Sequence, residues 1–191
     1  MASKHLLTVI FLTLALVAAA APTPAEFIDE LEQLQKVLSK NPFKYSIVAN
    51  ALQRSIKQLK KLPDANVNVE FLSENTALIP TNIALTGVGI RAIVPKLMGD
   101  LIRFNVIEGM YSFAQIKAIP VGGKLPTQLN NKPLMRFKTQ RGFLSPGTTV
   151  ALGPPGANVL TWAQIDDPDL FKGQFIRAHG VDGVLKPNGL I

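Results

Sequence analysis

The side chains best suited to acid–base chemistry are His179 and Asp182, three residues apart near the C-terminus. Together with a serine placed by the fold, they could form a Ser-His-Asp arrangement, in which the histidine takes a proton from the nucleophile. However, residues 175–179 alternate as a β-strand does, with Phe175, Arg177 and His179 on one face. We therefore expect His179 to be packed or hydrogen-bonded in a strand that completes a sheet, and we predict no catalytic residue.

Other patterns that could hold a metal or a cofactor are weak. The chain has two histidines and no cysteine, which disfavours a zinc site. The acidic run at residues 166–169 lacks the spaced ligands and the bidentate glutamate of a calcium loop, so it indicates a turn or a helix cap. The glycines at 87–89 and 121–124 lack the flanking residues of phosphate-binding loops and indicate turns. The sequence predicts neither a metal nor a cofactor.

The N-terminus has the pattern of a secretory signal peptide. Lys4 and His5 precede an uncharged run at residues 6–21, and small residues at 18–20 offer a cleavage site near Ala20. The remaining chain is long enough for one domain. The predicted organisation is a signal peptide at 1–20, a short proline linker at 21–25, one domain at 26–187 and a C-terminal tail at 188–191.

Several absences bear on where the product acts. The sequence has no Asn-x-Ser/Thr glycosylation site and no hydrophobic C-terminal tail of the kind that a lipid-anchor signal needs. We expect a secreted, extracellular protein without a GPI anchor or a transmembrane helix in the mature chain. The formal net charge of +7 is modest and indicates a basic soluble surface, with no nucleic acid as partner. Because cysteine is absent, stability must come from burial and hydrogen bonding.

Two amphipathic helices are predicted after the linker. The first has apolar residues at helical spacing from Phe27 to Leu38 and ends at Asn41-Pro42. The second starts near Phe43 and turns its apolar face inward. Its outward residues include a basic set, Arg54, Lys57, Lys60 and Lys61. Such a set is usually the solvated face of an amphipathic helix, and it is also a candidate patch for an anionic polymer.

The rest of the chain is predicted to form strands with short helices. Residues 67–72 alternate as a strand, 73–76 indicate a turn, 80–89 form a looser segment, and 93–98 indicate a helix or a turn. The apolar run at 101–107 fits a strand or a helix, and a short helix is predicted at 111–119. The second half is rich in strands, at 124–127, 134–138, 148–152 and 158–165. The predicted fold class is α+β, a wedge or sandwich of strands with packed helices.

Four stretches in this order resemble the fasciclin domain. FLSENTAL at 71–78 is similar to its first signature, LIRFNVIEGMYS at 101–112 to its central stretch, and KLPT at 124–127 to its Leu-Pro-Thr strand. AHGVDGVL at 178–185 resembles its second and most specific signature. DLFKG at 169–173 is similar to single-domain plant members. The resemblance implies an extracellular role in cell adhesion or in organising the cell wall or matrix, and no enzymatic activity.

The resemblance also implies which residues matter. Where the family tends to have Tyr-His, this chain has Phe104-Asn105, which cannot titrate near neutral pH. Phe104, Asn105 and Tyr111 form a candidate partner-contact region, and a purely structural role for the first two is favoured. The residues assigned to the structural signature are Phe71, Asn75, Gly109, His179, Asp182, Leu185 and Pro187.

Three function classes are open on the sequence. The leading one is a non-enzymatic secreted fasciclin-like protein that contacts extracellular proteins or cell-wall polysaccharide. The alternative is a lectin-like module that binds acidic polysaccharide through the basic helix face, and salt sensitivity of binding would distinguish it. A hydrolase is the third class, and the residue inventory does not support it.

Overall fold

The computed structural model describes residues 22–62, 74–87, 95–130, 132–140, 148–156 and 162–187. The predicted signal peptide, the strand at 67–72 with Phe71, and the C-terminal tail therefore lie outside the described residues. The elements, in chain order, are α1 (Pro24–Ser39), α2 (Pro42–Leu59), β1 (Asn75–Pro80), α3 (Asn82–Gly87), α4 (Pro95–Phe104), β2 (Val106–Glu108), α5 (Phe113–Ala118), β3 (Lys124–Leu125), β4 (Leu134–Gln140), β5 (Thr148–Gly153), β6 (Ala163–Lys172) and β7 (Ile176–Val181).

Helix α1 begins where a capping box satisfies its first backbone groups. The Thr23 N–H donates to Glu26 Oε2 at 2.8 Å, and the Glu26 N–H donates to Thr23 Oγ1 at 3.3 Å, so two N–H groups without helical partners are paired. Pro24 takes the first helical position, where its missing N–H costs little. Pro24 and Ala25, which the sequence placed in the linker, therefore belong to the helix.

Helix α2 starts after the break predicted at Asn41-Pro42. It has Pro42 in its first turn and buries Tyr45, Ala49 and Ile56, as the helical spacing indicated. No helix in the part of the chain that the structure describes is long and apolar enough to cross a membrane.

The seven strands form one sheet in the order β2-β1-β7-β6-β5-β4-β3. Strand β7, the last in the chain, lies between β1 and β6; it runs parallel to β1 and antiparallel to β6. The final strand is thus an interior strand of the sheet. This agrees with the prediction that His179 belongs to a strand that completes a sheet.

The two ends of the sheet meet, which makes it a nearly closed barrel. Ile107 of β2 forms a bridge with Thr127, just after β3. The Glu108 N–H donates to the Pro126 carbonyl and the Gln128 N–H to the Val106 carbonyl, both at 3.0 Å. These bonds occupy backbone groups that an open sheet edge would leave unpaired.

The core has two clusters, one on each side of the β1–β7 pair. Ile176 and Ala178 of β7 pack with helices α1 and α2 in the helix-side cluster. Val181 lies three residues after Ala178, so its side chain is on the opposite face of β7. It packs in the inner cluster, to which all seven strands contribute. This alternation follows from the two-residue period of a strand. Phe175, predicted on the face of His179, precedes β7 and packs in the helix-side cluster.

Several predicted boundaries were wrong. Residues 75 and 76 were expected in a turn but begin β1. Of the described residues of the predicted turn, only Glu74 precedes the strand, and its φ is 57°. The looser segment at 80–89 contains helix α3. The acidic run at 166–169, expected as a turn or helix cap, lies within β6, where register shifts against β7 accommodate it.

The apolar run at 101–107 is divided between two elements. Its first half is the last turn of α4 and its second half begins β2, with the break at Asn105. The helix and strand interpretations that the sequence left open are therefore each right for part of the run. The short helix predicted at 111–119 is confirmed as α5.

Candidate functional site

The two stretches at 71–78 and 178–185, which resemble the fasciclin signatures, lie side by side in the sheet where the structure describes them. Asn75 of β1 stands opposite Ile176 of β7, and Leu78 stands opposite His179. Because the pairing is parallel, the two strands need a long intervening chain to connect them. The fold thus brings together motifs that are about a hundred residues apart in the sequence.

Thr76 connects the first signature to the central stretch. Its hydroxyl donates to the Gly109 carbonyl at 2.6 Å and accepts from the Tyr111 N–H at 2.8 Å. Gly109 has a φ of 102°, and a Cβ there would lie 2.9 Å from the Tyr111 ring. Both facts require glycine at this position. Gly109 therefore serves the turn that leads into α5.

His179 is fully buried and both of its ring nitrogens are engaged by backbone groups. Nδ1 accepts from the Asp169 N–H at 2.9 Å, and Nε2 lies 3.0 Å from the Tyr111 carbonyl. Since Nδ1 is an acceptor, the proton is on Nε2 and is donated to that carbonyl. Burial lowers the pKa of His179 and outweighs the opposite effects of Tyr111 and Asp169. A neutral ring with both nitrogens hydrogen-bonded in the core ties the segment before α5 to strand β6 and is unavailable to activate a nucleophile.

Asp169 completes this arrangement from β6. Its backbone has a φ of 51°, and its Oδ1 accepts from the Phe113 N–H at 2.9 Å, at the start of α5. Partial burial raises the pKa of Asp169, but the Phe113 N–H and the ammonium of Lys172, 3.3 Å away, outweigh it and lower the pKa. Asp169 and His179 therefore fix the start of α5 against β6 and β7.

The remaining signature residues near the C-terminus also hold the backbone. Asp182 Oδ1 accepts from the Gln164 N–H at 2.7 Å, and the Asp182 N–H donates to the Gln164 carbonyl at 3.1 Å. Leu185 is completely buried in the inner cluster, and Pro187 is buried as well. Asp182 is engaged at the start of β6, and both ring nitrogens of His179 are bonded to backbone groups other than those of Asp182.

The candidate partner-contact region is mostly internal. Phe104 has no exposed surface and Asn105 is 8% exposed. The Asn105 amide donates to the Leu101 carbonyl at 2.8 Å and to the Leu185 carbonyl at 2.9 Å, and its oxygen accepts from the Leu185 N–H at 3.2 Å. Neither side chain is available to a partner in this structure. Of the three candidate residues, only Tyr111 reaches the surface in part.

A second polar cluster ties the start of α2 to β6. Asp167 accepts a short hydrogen bond from the Tyr45 hydroxyl and forms an ion pair with the Lys44 ammonium at 2.8 Å. Burial, and then the bond to Asp167, raise the pKa of the Tyr45 phenol. Burial also raises the pKa of Asp167, but Lys44 and Tyr45 outweigh it and the net shift is downward. Asp167 is thus occupied by protein groups, which argues against a cation-binding role for residues 166–169.

Glu30 is a functional group of the fold that sequence reasoning missed. Its place among the acids in the first half of α1 suits the helix dipole, but it is only 5% exposed. Its carboxylate accepts the N–H groups of Gln174, Phe175 and Ile176, the last at 2.6 Å. It therefore anchors the turn between β6 and β7 to helix α1.

Among the described residues, no group of three or more His, Asp and Glu side chains could hold a metal ion.

The basic helix face is exposed as predicted, although its residues are not equivalent. Arg54, Lys57, Lys60 and Lys61 all reach solvent. Lys60 is paired with Glu32 of α1 at 2.7 Å. Within the described part of the chain, no ion pair involves the other three. A cationic strip of three residues, Arg54 and Lys57 on α2 and Lys61 just after it, thus remains available.

An exposed apolar surface lies at the opposite end of α2. We call it the Phe43 surface; it consists of Phe43, Ile47 and Ile83, which are 96%, 43% and 83% exposed. Phe43 and Ile47 are one helical turn apart and share a face. Asn82, next to Ile83, accepts from the Ile47 N–H at 3.0 Å and donates to the Phe43 carbonyl at 2.9 Å. These bonds fix α3 against α2 and so hold the three side chains on one rigid support.

Comparison with known proteins gives little at the level of sequence. No protein-family model matches the chain. No curated protein matches it. Among solved structures, the chain is similar to a FAS1 domain pair from the insect cell adhesion molecule fasciclin I, with a TM-score of 0.48, 18% sequence identity, and coverage of 82% of this chain and 45% of that chain. The chain thus spans less than half of that structure, and a similarity of this degree assigns neither a family nor a function.

The Phe43 surface was also missed from the sequence, although a signal for it exists. Tyr45, Val48, Ala49 and Leu52 define the inward face of α2, and Phe43 falls outside that stripe. A large aromatic residue on the polar side of an amphipathic helix is a candidate contact residue. The attachment of α3, with Ile83, to this end of α2 depends on Asn82 and could not be read from local sequence.

Proposed function

We propose that this chain is a secreted, non-enzymatic fasciclin-like binding protein, similar to single-domain plant members, which acts in adhesion or in organising the cell wall or matrix. The sequence supports this through the signatures at 71–78 and 178–185. The pairing of β1 with β7 supports treating them as parts of one structural unit. Most of the signature residues within the described ranges stabilise the fold. We therefore expect the contact surface to lie elsewhere.

The Phe43 surface carries the proposal that the partner is a protein. The exposed surface of Phe43, Ile47 and Ile83 contributes nothing to the stability of the fold, because it remains in contact with water. Contiguous exposed apolar groups on a rigid support are typical of protein interaction sites. Aromatic residues, phenylalanine among them, are enriched in the cores of protein interfaces.

The test is capture of partners from an extracellular matrix or cell-wall extract by the purified secreted protein. The double variant Phe43→Ser/Ile83→Ser should lose captured protein by at least about tenfold, since central aromatic anchors are worth more than about 1.4 kcal/mol. Val121→Ser is the matched control, because Val121 is 58% exposed and lies elsewhere. Equal capture by the wild type and the double variant, with unchanged thermal stability, would show that the partner contacts another surface.

A second candidate function is binding of acidic polysaccharide by the cationic strip. Its support is that Arg54, Lys57 and Lys61 are exposed and make no ion pair within the described residues. The triple variant Arg54→Gln/Lys57→Gln/Lys61→Gln should abolish retention on immobilised polygalacturonate, and added salt should weaken wild-type retention steeply. Retention that survives both changes would exclude the strip as the polysaccharide site.

A further inference from the structure

An apolar groove runs between the helices and the sheet, distant from the Phe43 surface. Its volume is about 480 Å³, within the range of small-molecule sites. Helix α1 contributes Leu31, helix α2 contributes Leu52, and the sheet contributes Ala77 and Val106. The groove thus lies between helices α1 and α2, one end of α4, and the β1–β2 part of the sheet.

Among the described residues, few that line the groove are polar: Ser55, Asn75, Arg103 and Gln128. Asn75 and Gln128 lie together, with the Gln128 amide donating to Asn75 Oδ1 at 2.9 Å. Arg103, near the end of α4, contributes the charge of the lining. Its side chain is exposed, and it makes no ion pair or hydrogen bond through its guanidinium among the described residues. Ile102 beside it is 59% exposed although apolar.

This combination specifies the chemistry of an occupant. Apolar walls of this extent favour a hydrocarbon chain, because each buried methylene contributes about 0.8 kcal/mol. A free guanidinium at the rim favours an anionic head group and can bind a carboxylate through two parallel hydrogen bonds. We propose that the groove binds a single-chain anionic amphiphile of the fatty-acid type, with its chain along Leu52 and Ala77 and its carboxylate on Arg103.

Two variants separate the roles of the groove and of the charge. Ala51 lines the groove and is exposed, so Ala51→Trp should fill the groove without disturbing the core. Arg103→Gln removes the charge and keeps much of the side-chain volume. Lys117→Gln is the matched control, because it removes the same unit of positive charge from an exposed helical position outside the lining.

The measurement is displacement of a dansyl-labelled undecanoic acid by laurate and by dodecyltrimethylammonium. The wild type should prefer laurate, and Arg103→Gln should weaken laurate about fivefold, the effect of an exposed ion pair, while leaving the cationic amphiphile unchanged. Ala51→Trp should weaken both ligands at least about tenfold. Lys117→Gln should behave like the wild type.

Three outcomes would overturn the proposal. No binding of the labelled acid by the wild type would show that the groove does not take a hydrocarbon chain. Equal affinity for the two head groups would show that Arg103 does not select the ligand. A mass that rises with protein concentration in sedimentation, and that Ala51→Trp returns to the monomer, would show that the groove is a contact between copies of this chain. Capture by the Phe43 surface is measured independently and does not depend on any of these results.

Discussion

Replacing Glu30 by alanine should destabilise the fold far more than its place in the first half of an amphipathic helix indicates. The carboxylate accepts the N–H groups of Phe175 and Ile176, which are buried, and that of Gln174. A buried donor left without an acceptor costs about 1 to 3 kcal/mol. Losing the acceptor of the two buried N–H groups should therefore lower the free energy of unfolding by about 2 to 6 kcal/mol.

The assay is urea unfolding at neutral pH, followed by the fluorescence of Trp162. This is the single tryptophan of the chain, and its ring stacks on Phe137 with centroids 4.0 Å apart, so it reports loss of the sheet. Glu32→Ala is the control on the same helix, because Glu32 pairs with Lys60 at the surface; we expect no measurable change for it. If Glu30→Ala behaved like Glu32→Ala, the carboxylate would not be the anchor of the β6–β7 turn.

A double-mutant cycle tests the same contact from the other side. A Cβ on Gly173 would clash directly with Glu30 Oε1, so Gly173→Ala should force the carboxylate out of the turn. Residues that share one contact are not additive. Gly173→Ala should therefore cost clearly less in the Glu30→Ala background than in the wild type. Additive costs would mean that Gly173 is required for a reason unrelated to Glu30.

Two further predictions concern His179 and Asn105. Because the folded-state pKa of His179 is lowered from 6.5, the unfolded chain takes up the proton first, so stability should fall as pH decreases from about 7 to 5. His179→Asn should remove that slope in urea unfolding at several pH values, and a slope that persists would assign it to other groups. Asn105→Ala should lower the free energy of unfolding by about 2 to 4 kcal/mol, because it leaves Leu185 N–H and carbonyl groups unpaired in the core. Asn130→Ala, at an exposed position, should leave it unchanged; equal effects of the two would contradict the structural role of Asn105.

Local pattern was sufficient to predict most elements of this fold. The spacing of apolar residues from Phe27 to Leu38 predicts α1, and the alternation after Phe175 predicts β7, because both patterns report which face is buried. The run at 101–107 was ambiguous for the same reason: it is largely apolar, and its division at Asn105 depends on hydrogen bonds to Leu185, eighty residues away. Such a contact leaves no local periodicity.

The polar contacts were harder to predict than the elements. A glutamate in the first half of a helix is normally explained by the helix dipole, and nothing near Glu30 in the sequence shows that the β6–β7 turn will meet it. The prediction of a turn at 166–169 was wrong because acidic composition of this kind is typical of turns. In the structure, Asp167 and Asp169 each meet partners from other elements, and these partners are what allow charged residues inside a strand.

The position of β7 explains why the most specific motif in the chain says more about folding than about binding. A strand inserted between β1 and β6 must satisfy backbone groups on both of its sides, and the residues around it are committed to that task. Glu30 holds its start, His179 holds the neighbouring strand β6 and the segment before α5, and Asp182 and Asn105 hold the chain beyond it. Glu30, His179 and Asn105 are buried, so they cannot recognise a partner and can only be replaced at a cost in stability. Recognition of a partner by this chain would therefore have to use surfaces that the motif leaves free, such as the outer faces of α2 and α3.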